Sequence, residues 1–259
     1  MAGQEHRALV PQRLERIRMR LREDGLVRVD DLAEELAVSP ATIRRDLEEL
    51  ESKNELRRVH GGAVRAGGLM EEPLFDDKTS RSPEEKKRIA SEAVKLIHPD
   101  ASIYIDGGST LLELARLLRD WTQITVVTNS LRAAYELASG GPRLILVGGE
   151  LRRRSQTMVG PLTRCLVEEI HLDQAFMGTI GLDADAGLTT TDPGEAFTKR
   201  EVTARAREVI LLADSSKIGA VSFAHSGGME HLDRVITDRG APASFTKLLK
   251  KKGIQLTRA

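Results

Sequence analysis

Residues 30–64 read DDLAEELAVSPATIRRDLEELESKNELRRVHGGAV, and this stretch decides the architecture of the first part of the chain. Leu32, Ala33 and Leu36 recur at helical spacing with acids on the opposite side, which predicts a helix with one apolar stripe. Ala37-Val38-Ser39 is long enough only for a turn. Ser39 suits an N-cap, and Pro40 suits the first helical position, where its missing N–H removes no hydrogen bond. Ile43, Leu47 and Leu50 then give a second helix its buried stripe. Just past that helix Asn54 stands where a left-handed residue is needed, a conformation Asn tolerates. Leu56–His60 reads as a short strand, Gly61-Gly62 as its turn, and Ala63–Arg65 as the return. Two helices around a tight turn, joined to a basic hairpin, predict a winged helix-turn-helix.

In that layout the N-terminal part of the second helix enters a DNA major groove. Ser39, Pro40, Ala41, Thr42, Arg44 and Arg45 lie at that end, outside the apolar stripe. An Arg offers a bidentate fork for guanine or phosphate, and Thr offers a hydroxyl and a methyl group. The competing reading is a solvated helix whose arginines pair with Glu48 and Glu49 at helical spacing. A basic hairpin beside a basic helix favours DNA, so Arg57, Arg58, His60 and Gly61 join the expected contacts.

Composition sets the bounds. The 259 residues leave room for one large domain or two ordinary ones. Charge balances overall, with 39 basic and 39 acidic residues, so a DNA-binding face must come from segregated charge rather than net charge. Arg7, Arg13, Arg16, Arg18, Arg20 and Arg22 crowd the first helical stretch and read equally as part of such a face or as a solvated one. A single Cys165 excludes an intramolecular disulfide and a Cys-rich zinc site, and the six histidines show no HxH or HExxH spacing. No metal and no cofactor is expected. No apolar run approaches a membrane span, and no signal-peptide profile opens the sequence. The expectation is a reduced, cytoplasmic protein without membrane contact.

The stretch from Gly67 to Arg81 is polar and aperiodic, and reads as a linker whose Lys and Arg could still fold against the second domain. That places a first domain at 1–66, a linker at 67–81 and a second domain at 82–259. Beyond Pro83, apolar runs of about four residues alternate with helical patterns: strands at 102–105, 124–127, 144–147, 174–177, 209–213 and 235–237, with helices such as 83–97, 110–118, 131–138 and 195–207. That alternation means βαβ crossovers and a mostly parallel sheet. The whole is an α+β multidomain chain, a winged helix-turn-helix ahead of an α/β domain.

Polar residues come after each strand: Asp106-Gly107-Gly108-Ser109-Thr110, then Thr128-Asn129-Ser130, then Gly148-Gly149, and later Asp214-Ser215-Ser216-Lys217. In a parallel sheet such strand ends share one edge, where ligands bind. The Asp106–Thr110 loop combines glycines for close approach, two hydroxyls and a helix N-terminus, the elements of a phosphate cradle. It lacks the GK[ST] of a P-loop, and the chain has no GxGxxG fingerprint. Each loop taken alone has a plain structural role as cap or turn. Their convergence is what points to a ligand, with Asp214 accepting from sugar hydroxyls and Lys217 meeting phosphate.

VSPATIRRDLEELESKNELRRVHGGA resembles the signature of the DeoR family of bacterial regulators, with Asn54 where that family usually has Gly. The resemblance covers nearly the whole chain. The family pattern of a Lys near the first helix, a D-x-G-[ST]-T loop, TNS, GG and DxSK is matched by Lys86, Asp106–Thr110, Thr128–Ser130, Gly148–Gly149 and Asp214–Lys217. Gly107 replaces the more usual Ser. The resemblance implies a second domain similar to ribose-5-phosphate isomerase that binds a phosphorylated sugar, and it adds Lys86, Glu195 and Lys199 to the expected effector contacts.

The expected function is therefore a transcription factor, most simply a repressor of a sugar-catabolism operon. It would bind operator DNA as a homodimer or homotetramer and be released by a sugar phosphate. One alternative is a sugar-phosphate isomerase or deaminase with an accessory DNA-binding module, in which Asp106, Glu195, Asp214 and Lys217 would supply acid, base and electrostatic roles. No acid–base constellation exists beyond what ligand binding needs, so no catalytic residue is assigned. A DNA-binding protein with an inert second domain is the third reading, and the converging strand ends argue against it.

Overall fold

The computed structural model describes residues 10–24, 26–53, 55–59, 61–65 and 72–259. The chain divides into two compact units, Met1–Glu71 and Glu72–Ala259. In the first, α1 (Val10–Asp24) precedes β1 (Leu26–Arg28), α2 (Val29–Glu35), α3 (Pro40–Ser52), β2 (Leu56–Val59) and β3 (Gly62–Arg65). The expected stripes are the core: Leu32, Ile43, Leu47 and Leu50 are all but fully buried, packed with Leu14, Ile17 and Leu21 of α1. At the tight turn Ala37 takes a left-handed conformation, φ 51°, and Val38 N–H closes the helix onto the Ala33 carbonyl at 3.0 Å. Ser39 caps α3 by accepting from Thr42 N–H at 3.2 Å, with Pro40 in the first turn.

The wing has three antiparallel strands in the order β1-β3-β2, and the short β1 carries no period by which the sequence could announce it. The expected turn residue Gly62 belongs to β3. Gly62 already pairs with Arg28 in the ladder, where a Cβ would lie 2.0 Å from the Val27 carbonyl oxygen. The cap expected at Asn54 lies outside the described residues.

The second unit is a doubly wound α/β fold. It opens with α4 (Phe75–Ser80), α5 (Pro83–Val94), β4 (Ser102–Ile105), α6 (Ser109–Leu117), β5 (Thr125–Thr128), α7 (Leu131–Leu137) and β6 (Arg143–Leu146). Next come the hairpin β7 (Glu150–Arg152) and β8 (Thr157–Val159), then α8 (Arg164–Val167), β9 (Leu172–Met177), β10 (Gly181–Asp183) and β11 (Gly187–Thr190). The chain closes with α9 (Pro193–Thr203), β12 (Ala206–Leu212), β13 (Ala224–Gly227), β14 (Arg234–Thr237), α10 (Ala243–Lys251) and β15 (Gln255–Arg258).

Seven parallel strands lie in the order β15-β14-β12-β9-β4-β5-β6. The chain winds outward from β4 to β6, returns to β9 beside β4, and winds outward the other way. The topological switch therefore falls between β4 and β9. Alternate residues serve opposite faces: Ile103 and Ile105 pack with Ile89, Leu114 and Ala115, whereas Tyr104 packs with Val202, Leu211 and Leu249.

Two expectations need correction. Residues 72–81, placed in the linker, belong to the second unit: α4 forms there, Phe75 is buried, and Glu72 is 2% exposed. The rest of that linker, 67–71, lies outside the described residues. The helix expected over 195–207 spans Pro193–Thr203, and its last residues instead lead into β12. The hairpin β7–β8 and the antiparallel sheet β10-β11-β13 were not legible, because their strands are too short and polar to show a period.

Candidate functional site

On α3 and the wing the structure separates the arginines that have partners from those that do not. Arg44 and Arg45 are exposed, and no ion pair or hydrogen bond among the described residues engages their side chains. Glu48 and Glu49, the expected partners, turn elsewhere: Glu48 accepts from Arg58 at 2.5 Å and Glu49 pairs with Lys53 at 2.7 Å. Ala41 is exposed, and the Thr42 hydroxyl lies 2.9 Å from that of Ser39. Arg58 is held to α3 by Glu48 and by its N–H on Glu51 at 2.8 Å. Gly61 sits at the wing tip with φ 79°, exposed. Arg57 is described only by its backbone, and His60 lies outside the described residues.

Four of the cations in the first helical stretch have carboxylate partners within the unit. Arg13 and Asp46 form a buried bidentate pair, Arg16 and Arg20 share Glu35, and Arg18 spans Glu15 and Glu55. Of the remaining two, Arg7 lies outside the described residues and Arg22 is described only by its backbone.

In the second unit Asp106 ends β4 at the switch point. Its Oδ2 accepts from Gly178 N–H, at the end of β9, at 3.0 Å, and from the buried ammonium of Lys199 on α9. Lys199 also donates to the Gly178 carbonyl at 3.0 Å. Burial disfavours the Lys199 charge, but Asp106 and Glu195 outweigh it, and its pKa ends raised. Beside this pair Gly108, with φ 143°, starts α6 without any side-chain cap. The first N–H groups of α6 therefore have no acceptor within the helix, and Ser109 and Thr110 stand buried among them. Gly107 is required by packing: a Cβ there would lie 2.1 Å from Thr157 Cγ2.

At the next strand end Asp214 caps the short turn Ser215–Lys217 by accepting from Ser216 N–H at 3.0 Å. The Lys217 ammonium has no hydrogen bond or ion pair among the described residues. Its pKa is lowered by burial, opposed by Asp214 and pushed further down by Lys78 and Arg81. Lys86 is 5% exposed and donates to the carbonyls of Lys78 and Arg81. Burial brings its pKa down to about 8, against the attraction of Asp214.

The other expected contacts divide. Asn129 donates from Nδ2 to the Met158 carbonyl at 2.9 Å, while its buried Oδ1 has no donor among the described residues. Thr128 and Ser130 have local tasks: the Thr128 hydroxyl donates to the Ile105 carbonyl at 2.6 Å and accepts from Ser130 N–H, and Ser130 caps α7. Gly148 and Gly149 turn the chain into β7, and a Cβ at Gly149 would lie 2.9 Å from the Val159 carbonyl oxygen. Glu195 is buried, accepts from the Thr190 hydroxyl, and lies 3.6 Å from Arg152.

Arg152 was missed by the sequence reading, along with Glu72, Lys78 and Thr191. Arg152 and Lys78 each reach the Glu72 carboxylate at 2.5 Å, and the Thr191 hydroxyl donates to it at 2.9 Å. No local pattern marks these residues, because they come from the segment before α4, from α4 itself, from the hairpin and from the loop after β11.

A family model described as the DeoR C terminal sensor domain matches residues 81–239, and one described as a DeoR-like helix-turn-helix domain matches 13–67. The glycerol-3-phosphate regulon repressor of Escherichia coli (strain K12) is 35% identical over 237 residues, covering 91% of this chain and 94% of its own. The HTH-type transcriptional regulator GlpR of Haloferax volcanii is 37% identical over 226 residues, covering 87% and 89%. Ribose 5-phosphate isomerase A of Methanocaldococcus jannaschii shares 21% identity at a TM-score of 0.40 over 52% of this chain and 54% of its own, too distant a likeness to carry an argument.

Proposed function

The chain belongs to the DeoR family of DNA-binding transcriptional regulators, and from that premise we propose that it represses a sugar-catabolism operon and is released from its operator by a phosphorylated sugar. It is a regulator and not an enzyme, as its relatives are. The observation that carries the effector reading is the Lys217 ammonium, half-buried with no ion pair among the described residues, on the same edge of the parallel sheet as the uncapped N-terminus of α6. A phosphate monoester bound at this edge would be met by helix N–H groups and by the lysines Lys86 and Lys217. Asp106, Asp214 and the unpaired Oδ1 of Asn129 then accept from sugar hydroxyls. Gly107, Gly108, Ser109 and Thr110 shape the cradle. Thr128, Ser130, Gly148 and Gly149 serve it by holding neighbouring loops, and Glu195 with Lys199 fixes Asp106 in place.

Arg44 and Arg45 read base edges or phosphates, supported by Ser39, Pro40, Ala41 and Thr42 at the helix start and by Arg57, Arg58, His60 and Gly61 on the wing. Operators of such readers have two half-sites, which suits a homodimer or homotetramer. No helix among the described residues is long and apolar enough to cross a membrane, consistent with a cytoplasmic protein. The effector has only to bind the DNA-competent and released states with different affinity; a coupling of about 1–3 kcal/mol changes occupancy 5–150-fold.

The test is anisotropy of a labelled fragment from the gene's own upstream region, titrated with sugar phosphates and the matching free sugars. Release by one phosphate and not by its free sugar supports the reading. Specific binding that no sugar phosphate alters removes the effector half of it.

A further inference from the structure

The first described residue of the second unit is Glu72, and its side chain is 1% exposed. A carboxylate so deeply buried is sustained only by cations and donors around it. Glu72 has three: Lys78 and Arg152 at 2.5 Å each, and the Thr191 hydroxyl at 2.9 Å. Arg154 donates in addition to the Glu72 carbonyl, so backbone and side chain are both gripped. Burial alone would raise the Glu72 pKa, yet Lys78 and Arg152 hold it below the ordinary value, so the group is a carboxylate at neutral pH.

The same segment is fastened to the effector site from the other side. Lys86, whose ammonium lies near Asp214, donates to two backbone carbonyls of this segment, Lys78 and Arg81. Lys78 and Arg81 are also close enough to Lys217 for their charges to depress its pKa. A phosphate placed at Lys86 and Lys217 therefore draws on cations that now hold residues 72–81. A dianionic phosphate offers three strong acceptor oxygens where Glu72 offers one negative charge.

We propose that Glu72 is the resident counter-ion of the effector site: its carboxylate holds Lys78 and Arg152 in the ligand-free chain, and an arriving phosphate monoester displaces it. Displacement frees residues 72–81, from which the chain continues toward the DNA-binding unit. Ligand binding would then loosen this segment, the reverse of the ordering a ligand ordinarily brings. The inference rests on the effector reading above for its biological ligand, but inorganic phosphate is enough to test it.

Two measurements on the full chain decide it. In the wild type, saturating inorganic phosphate is expected to speed hydrogen exchange of the amides of α4 (Phe75–Ser80). Glu72→Gln, which keeps the shape and removes the charge, is expected to bind inorganic phosphate about tenfold more tightly, because apparent affinity falls by the fraction of sites that are open. Unchanged or slower exchange in the wild type, or an E72Q chain that binds phosphate no more tightly, overturns the proposal. The exchange experiment needs no variant, so a folding defect in E72Q would not shelter the idea. If both results appear but no sugar phosphate releases operator DNA, the effector reading fails and the counter-ion role stands. If sugar phosphates release DNA without either change, the reverse holds.

Discussion

Arg13 on α1 grips Asp46 on α3 through two parallel hydrogen bonds, Nε to Oδ2 at 2.8 Å and Nη2 to Oδ1 at 2.9 Å, with both side chains buried. The pair fixes the recognition helix from behind, so its loss should act on DNA binding through position and not through contact. Asp46→Ala takes the carboxylate away from a buried guanidinium and is expected to destabilise the first unit by about 3–5 kcal/mol. The double variant Arg13→Met/Asp46→Leu should recover much of that, because well-packed apolar pairs often replace buried ion pairs at little cost. Thermal unfolding of the wild type, both singles and the double gives the cycle. A double no more stable than the worse single would contradict it.

Arg44 and Arg45 stand on the exposed side of α3 with no side-chain partner among the described residues, whereas Arg58 is held by Glu48 and Glu51. Arg44→Ala and Arg45→Ala should each lose about 1–3 kcal/mol of operator affinity if they read base edges. Arg58→Ala should lose less, since binding must first detach it from its carboxylates. If either α3 arginine contacts phosphate instead, the salt dependence of binding falls by about one unit of slope. Anisotropy titrations at several salt concentrations separate the cases, with melting temperature as the control for folding.

Lys86 has its pKa brought from 10.5 to about 8, chiefly by burial. Between those values the unfolded chain binds the proton and the folded chain does not, so this group adds stability as pH rises through that window and none below it. A bound phosphate favours the charged form and reverses the preference. Sugar-phosphate affinity should therefore fall above pH of about 8, while ligand-free stability gains from the same group. In Lys86→Met both slopes should flatten. An affinity profile that stays level to pH of about 10 would remove Lys86 from the site.

Packing explains why residue 107 is Gly. A Cβ would fall 2.1 Å from Thr157 Cγ2. Gly107→Ala should cost about 1–3 kcal/mol by overpacking. Adding Thr157→Ser removes the offending methyl, keeps the hydroxyl that lies 2.8 Å from Ser155 Oγ, and should restore most of the loss. Denaturant unfolding of the three variants measures this, and a double variant without rescue would place the strain elsewhere.

Much of the fold is legible in the sequence because local period carries it. Ser102–Ile105 is marked to the residue, and α3 is marked at its start by a cap, a proline and a stripe. The loop Asp106–Thr110 is also legible as the turn from β4 into α6, since glycines and hydroxyls follow an apolar strand there. Thr128 and Ser130 illustrate the limit: the same residue types serve as turn and cap, and only their hydrogen bonds distinguish the roles. Glu72 is invisible in a stretch that reads as linker, because nothing in its neighbourhood announces burial.

By itself, then, the sequence determined the helix-turn-helix, the helices and strands of the parallel sheet, and the strand ends where a ligand could sit. Each of these arises from apolar period and turn chemistry within a window of a dozen residues. Only the tertiary structure decided that β9 returns beside β4, which brings Lys199 to Asp106 across 93 positions. It likewise decided that Arg152 reaches Glu72 across 80, and that Arg13 belongs to Asp46 and not to DNA. Charge pairs of this kind are set by which buried surfaces meet. A lone Arg or Glu carries the same local signal whether it ends in water or opposite its partner in the core.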